Sequence, residues 1–209
     1  MFLPFSADAF FDVFARYNLA LWPAAVALWL AAATVLLAIV RSPQPQTDRL
    51  VVIALVTLWV WGGAVYHAVY FTAINPAAWA FALLFLAEAG LLVWVGLVRR
   101  QLSFGSASRL ARLSGAGLAL YALAYPGLSI ALGHAYPATP TFGVPCPTTI
   151  FSAGVLLTCR RLPLLVTLIP LVWSLIGGSA AVLLGVAADY VLLACAPVLV
   201  AHLLKERTR

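Results

Sequence analysis

Long apolar runs constrain this chain more than any other feature. A bilayer core takes about 20 mostly apolar residues per spanning helix, and four such stretches are plain at 19–40, 50–71, 76–98 and 113–133. A fifth, at 145–159, covers only about 22 Å as a helix at roughly 1.5 Å per residue; an earlier start near Thr141 would lengthen it. From 162 to 204 no basic side chain interrupts the sequence, which suits two spans, 162–181 and 186–204, folded at the Gly177–Gly185 region. The expected fold is an all-α transmembrane bundle of seven helices, or six if the fifth stretch does not span, in a single domain over 1–209.

Composition agrees. Hydrophobic residues make up 65% and charged residues 9%, against about 45–50% and about 25% in soluble domains. The formal net charge of +6 in such a chain reports membrane topology, and nucleic acid is not an expected partner. Cytoplasmic loops collect Lys and Arg. Here basic residues follow alternate spans: Arg41 and Arg49, then Arg99, Arg100, Arg109 and Arg112, then Arg160 and Arg161, and finally Lys205, Arg207 and Arg209. This alternation favours seven spans with the N-terminus outside and the C-terminus cytoplasmic. The exception, Arg16, falls in an expected interfacial helix over 6–17. There Asp8, Asp12 and Arg16 share one face, and Phe10, Phe14 and Tyr17 are expected to dip into lipid.

Several functions are excluded. Cys146, Cys159 and Cys195 form neither a CxxC pair nor a zinc-finger spacing. The single lysine, Lys205, lies in the tail, where it cannot form an intrabundle Schiff base. No phosphate loop, nucleophile elbow or dinucleotide fingerprint is present. The first residues lack the basic start of a cleavable signal peptide and are expected to stay on the mature protein.

Ionisable residues inside spans are costly and are functional candidates by default. His67, Glu88, His134 and Asp189 come from four different helices and are all expected toward the outer half, with Tyr66, Asn75, Cys146, Thr148 and Thr149 nearby. Imidazole with carboxylate is the ligand set of zinc and other first-row divalent ions, and bundle sites are built from inward residues of facing helices. A bound metal such as zinc would lower the pKa of its water, and Glu88 is the candidate general base for a membrane hydrolase. Without a local HExxH pair the four residues must be brought together by packing. Otherwise His67 hydrogen-bonds locally and Asp189 caps its helix. A permease for a small molecule, metal ion or proton is the alternative, and a haem-binding or structural subunit of a larger membrane complex is the third. Two histidines toward one face supply axial haem ligands in principle. Membrane lipid and a small molecule or metal ion are the expected partners, with a homo-oligomer or a larger membrane complex as a further candidate assembly. His202, near the inner end, reads as an interfacial side chain.

The segment 134–147 contains Pro137, Pro140, Pro145 and Pro147. It cannot form a regular helix and reads as a lid or a re-entrant stretch. Together with Leu3-Pro4-Phe5-Ser6, Trp59-Val60-Trp61, Tyr66-His67, Ile74-Asn75-Pro76, Gly133-His134-Ala135-Tyr136-Pro137, the run Pro140–Phe151 through Gly143-Val144-Pro145-Cys146-Pro147, and Pro170-Leu171-Val172-Trp173, the sequence resembles an uncharacterised bacterial family of polytopic membrane proteins, sometimes labelled permeases. The resemblance spans nearly the whole chain. It implies placement in the bacterial inner membrane and no particular activity.

Overall fold

The computed structural model describes residues 4–41 and 43–207; Leu3 and Arg209 lie outside them. Seven α-helices account for the architecture, with no strand among the described residues. They are α1 (Ala7–Arg41), α2 (Pro45–Val60), α3 (Ala78–Leu92), α4 (Arg109–Ala131), α5 (Pro145–Leu156), α6 (Leu165–Leu184) and α7 (Val191–Arg207). Two continue with wider, π-helical turns, α2 through Trp61–Tyr70 and α3 through Val93–Val98. Six of the resulting segments are long and apolar enough to cross a membrane, and α5 is the one that is not.

The interfacial helix and the first span are one 35-residue element, broken at Leu21 (φ −127°, ψ 17°). Pro23 explains the break, because it lacks an N–H and its ring crowds the carbonyl four residues back. Asp8, Asp12 and Arg16 are exposed as the spacing predicts. Phe14 and Tyr17 correct the expectation of lipid contact, since both are buried against the bundle. Phe14 stacks on Tyr66, and Phe10 meets Phe71 edge-on. The protein offers this face flat aromatic partners, so it closes over the C-terminal end of the α2 segment.

The fifth stretch is partly helical. Its 12 residues give only about 18 Å of helix, and the chain above them is irregular but buried at Thr139, Pro140, Phe142, Gly143 and Val144. Non-helical backbone at this depth needs protein partners for its polar groups, and the kinked helix supplies them. Asn18 Nδ2 donates to the carbonyls of Pro137 (2.6 Å) and Thr139 (2.7 Å), and Asn18 Oδ1 accepts from Thr141 Oγ1 (2.6 Å). Tyr17 Oη donates to the Phe142 carbonyl (3.1 Å) and accepts from Trp61 Nε1 (2.8 Å). Gly143 sits at φ +89°, and a Cβ there would lie 2.6 Å from the Tyr17 hydroxyl. Glycine satisfies both conditions.

Every residue of α5 except Cys146 is buried, so it occupies the centre of the bundle. It meets α4 at Gly115 and Gly154, where a Cβ on Gly154 would stand 2.6 Å from the Gly115 carbonyl. Its far end is tied to the loops bearing the positive charges. Ala107 N–H donates to the Thr158 carbonyl (3.0 Å), Arg160 N–H donates to Ser106 Oγ (3.2 Å), and Phe104 N–H donates to Asp48 Oδ1 (2.8 Å). His202 Nε2 lies 2.8 Å from the Cys159 carbonyl. His202 is thus buried and joins α7 to the end of α5, in place of the interfacial role expected of it. These ties bring the loops after α1, α3 and α5 to one end of the bundle, together with the C-terminal part of α7.

Candidate functional site

At the opposite end the helices enclose a cavity of about 230 Å³. Its walls come from the N-terminal segment, the π-helical part of α2, the start of α5, the C-terminal half of α6 and the turn leading into α7. The lining is mostly aromatic and aliphatic, and His67, Asp189, Tyr66, Asn75 and Cys146 are among its polar contributors. Ser179 and Leu183, both exposed on α6, form part of its rim.

His67 stands on the π-helical segment, a distortion frequently found at functional sites. Gly62 and Gly63 let this segment approach Phe85 and Ala82 of α3 closely. The imidazole is 1% exposed and surrounded by rings, with centroids at 4.9 Å (Phe85), 5.1 Å (Trp173), 5.4 Å (Tyr66) and 5.6 Å (Phe81), all steeply inclined to it. Neither ring nitrogen has a hydrogen-bond partner. Leaving a buried polar group unpaired typically costs about 1–3 kcal/mol, so this placement asks for a partner from the cavity side. Local hydrogen bonding of His67, the bland alternative, is absent.

Asp189 lies in the 3-10 turn Ala187–Tyr190 ahead of α7 and is 3% exposed. Two tyrosines of α4 hold this turn. Tyr125 Oη donates a short hydrogen bond to Asp189 Oδ1, and Tyr121 Oη donates to the Ala188 carbonyl at 2.8 Å. The Cys146 thiol, on the first turn of α5, sits beside the same carboxylate. Asn75 Oδ1 accepts from the Ala77 N–H (3.0 Å) and closes the turn before α3. Sequence reasoning passed over Tyr125 and Trp173, because a tyrosine and a tryptophan in apolar spans carry no local signal of facing a carboxylate or an imidazole.

The other candidates lie elsewhere. Glu88 is fully buried on α3, one turn inward of Phe85, with both carboxyl oxygens unpartnered, and it does not line the cavity. His134 is half-buried and stacks on Phe11 with centroids 4.5 Å apart. Thr148 and Thr149 are buried on α5 with unpartnered hydroxyls, outside the lining. The convergence of His67, Glu88, His134 and Asp189 therefore does not occur. Among the described residues no group of three His, Cys, Asp or Glu side chains is placed to hold a metal ion. The cause is depth and loop path: Glu88 lies one turn further along α3 than Phe85, past the rings around His67, and the loop after α4 carries His134 against Phe11 of the N-terminal helix.

A polytopic helical membrane protein with a partly enclosed aromatic cavity is the class that this fold and site define. The chain belongs to a family of unknown function (DUF6064), whose model matches residues 7–209. Comparison with the curated proteins and with the solved structures gives no match.

Proposed function

We propose that this is a protein of the bacterial inner membrane whose outward-facing cavity binds an apolar small molecule through His67 and Asp189. The observation that carries the proposal is His67, buried at the cavity wall with both nitrogens unpaired. Ligand sites are mostly apolar concavities with a few placed polar groups, and this lining has that character. The outward direction rests on the positive-inside rule, since the basic loops share the opposite end. The exposed leucines and valines of α6 beside the rim, Leu175, Val182 and Leu183, suit entry from the lipid phase. For a resident divalent metal such as zinc, or for a hydrolase with Glu88 as its base, the geometry offers less, because neither Glu88 nor His134 reaches the cavity.

Transport is the second reading, and Glu88 favours it. An unpartnered carboxyl about two turns along α3 from Phe81, which lines the cavity, continues the polar groups toward the middle of the bundle, where proton and ion relays are built.

The test of binding uses tritiated toluene, an apolar probe of a single ring, with the protein in lipid nanodiscs. Saturable uptake above that of empty nanodiscs is expected, and it should fall when Ala180→Trp or Ile176→Trp fills the cavity. Uptake equal to empty nanodiscs, or unchanged in both filled variants, contradicts the proposal.

A further inference from the structure

Among the described residues that line the cavity, Asp189 carries the one carboxyl group, and none is lysine or arginine. Tyr125 holds this carboxyl from the α4 side, and no basic side chain among the described residues is paired with it. Buried carboxylates are normally matched by a cation, and an intramembrane carboxylate facing a ligand site serves as counter-ion to the ligand. The surrounding walls add a second, independent preference. Phe10, Phe14, Tyr66, Phe71 and Trp173 line the same space, and aromatic faces attract ammonium groups, quaternary ones included. His67 adds a hydrogen-bonding nitrogen without a partner.

We infer that the cavity selects organic cations, in which an ammonium or quaternary ammonium group sits against Asp189 and a small apolar body fills the aromatic space. The volume of about 230 Å³ limits that body to roughly the size of one substituted aromatic ring. An anionic ligand of the same size meets the carboxylate and the negative ring faces and is rejected; a neutral one gains only from apolar burial. This inference rests on the proposed binding function of the cavity and specifies its ligand class.

Three probes of similar size separate the possibilities: benzyltrimethylammonium, benzyl alcohol and phenylacetate. Each is titrated into the full-length protein in nanodiscs of zwitterionic lipid at neutral pH, with tryptophan fluorescence as the readout and empty nanodiscs as background. The cation is expected to bind at least about tenfold more tightly than the alcohol, with phenylacetate weakest. In Asp189→Asn the cation should fall to the level of the alcohol measured on the same variant, and Asp189→Glu should retain the preference. Equal affinities for cation and alcohol in the wild type overturn the inference while leaving the cavity a binding site. A cation preference that survives in Asp189→Asn also overturns it. If none of the three binds above background, the cavity is not a binding site and both proposals fall. The comparison of probes on the wild type is decisive even where a variant fails to fold.

Discussion

Tyr125, in the middle of α4, donates its hydroxyl to Oδ1 of Asp189 at the head of α7, joining two helices far apart in sequence through a buried pair. A hydrogen bond to a charged group is worth about 1.5–3 kcal/mol. Tyr125→Phe should therefore destabilise the protein by about that amount, measured by thermal or denaturant unfolding in a fixed detergent. Tyr121→Phe removes a bond to a backbone carbonyl and should cost nearer about 1 kcal/mol. In a double-mutant cycle with Asp189→Asn, Tyr125→Phe should be strongly non-additive. Additivity would mean that the two side chains do not support each other.

Asn18 secures the irregular part of the fifth stretch with three hydrogen bonds from a single amide. Asn18→Ala leaves the carbonyls of Pro137 and Thr139 without this donor, at a cost of about 1–3 kcal/mol for each that stays buried. Asn18→Asp is predicted to be worse, because it also sets an acceptor against two acceptors. Limited proteolysis should cleave between 134 and 144 faster in both variants. Unchanged cleavage would show that the prolines alone hold the segment.

The contact of α4 with α5 depends on the absence of side chains at Gly115 and Gly154. Gly154→Leu drives a side chain into the Gly115 carbonyl and the backbone of α4, and overpacking of this kind costs about 1–3 kcal/mol or more. Gly117, two residues along α4 from Gly115, has open space around its Cβ position. Gly117→Ala should be neutral or stabilising by up to about 1 kcal/mol through helix propensity. Similar losses of folded yield from the two substitutions would contradict the packing described for this interface.

The orientation is open to a direct check. Single cysteines introduced at Ser103 and at Ala138, in a variant whose native cysteines are replaced by serine or alanine, should react with an impermeant maleimide from opposite faces of the membrane. Ala138 is predicted to label in intact cells and Ser103 only after permeabilisation. The reverse pattern would place the cavity on the cytoplasmic side.

Much of the bundle was legible in the sequence because hydropathy and charge act locally. Each span had to be apolar, and each basic loop had to remain on one side, so the helices and their common basic end could be anticipated. The boundaries shift where a neighbour decides them: Pro23 bends a helix that continues through the interfacial segment, and α5 shortens because Asn18 and Tyr17 satisfy the backbone above it. The site was half legible. His67 and Asp189 share a cavity with Tyr66, Asn75 and Cys146, as their outward placement in the spans suggests. Glu88 and His134 do not join them, because the relative depth of neighbouring helices and the path of a loop are set by tertiary packing and leave no trace in residue spacing. The aromatic face of the N-terminal helix is similar, since a stripe suited to lipid is equally suited to Tyr66 and Phe71.

Metal content separates the ligand cavity from the metal-centre alternative. Elemental analysis of untagged protein should show no stoichiometric zinc, iron or copper that disappears in both His67→Ala and Glu88→Ala. A full equivalent lost in both variants would mean that these residues meet in a state different from the one described here.

The most direct test of the central claim is to map where a small apolar ligand sits. Protein in nanodiscs is photolabelled with a trifluoromethyl-phenyldiazirine, with and without excess benzyl alcohol as competitor, and the adducts are located by mass spectrometry. The account predicts competitor-sensitive adducts on the cavity wall, at Tyr66, Val144 and Trp173, together with competitor-insensitive adducts on exposed Trp22, Trp79 and Trp94. Adducts confined to these outer tryptophans and neighbouring lipid-facing residues, with none on the wall, would contradict it.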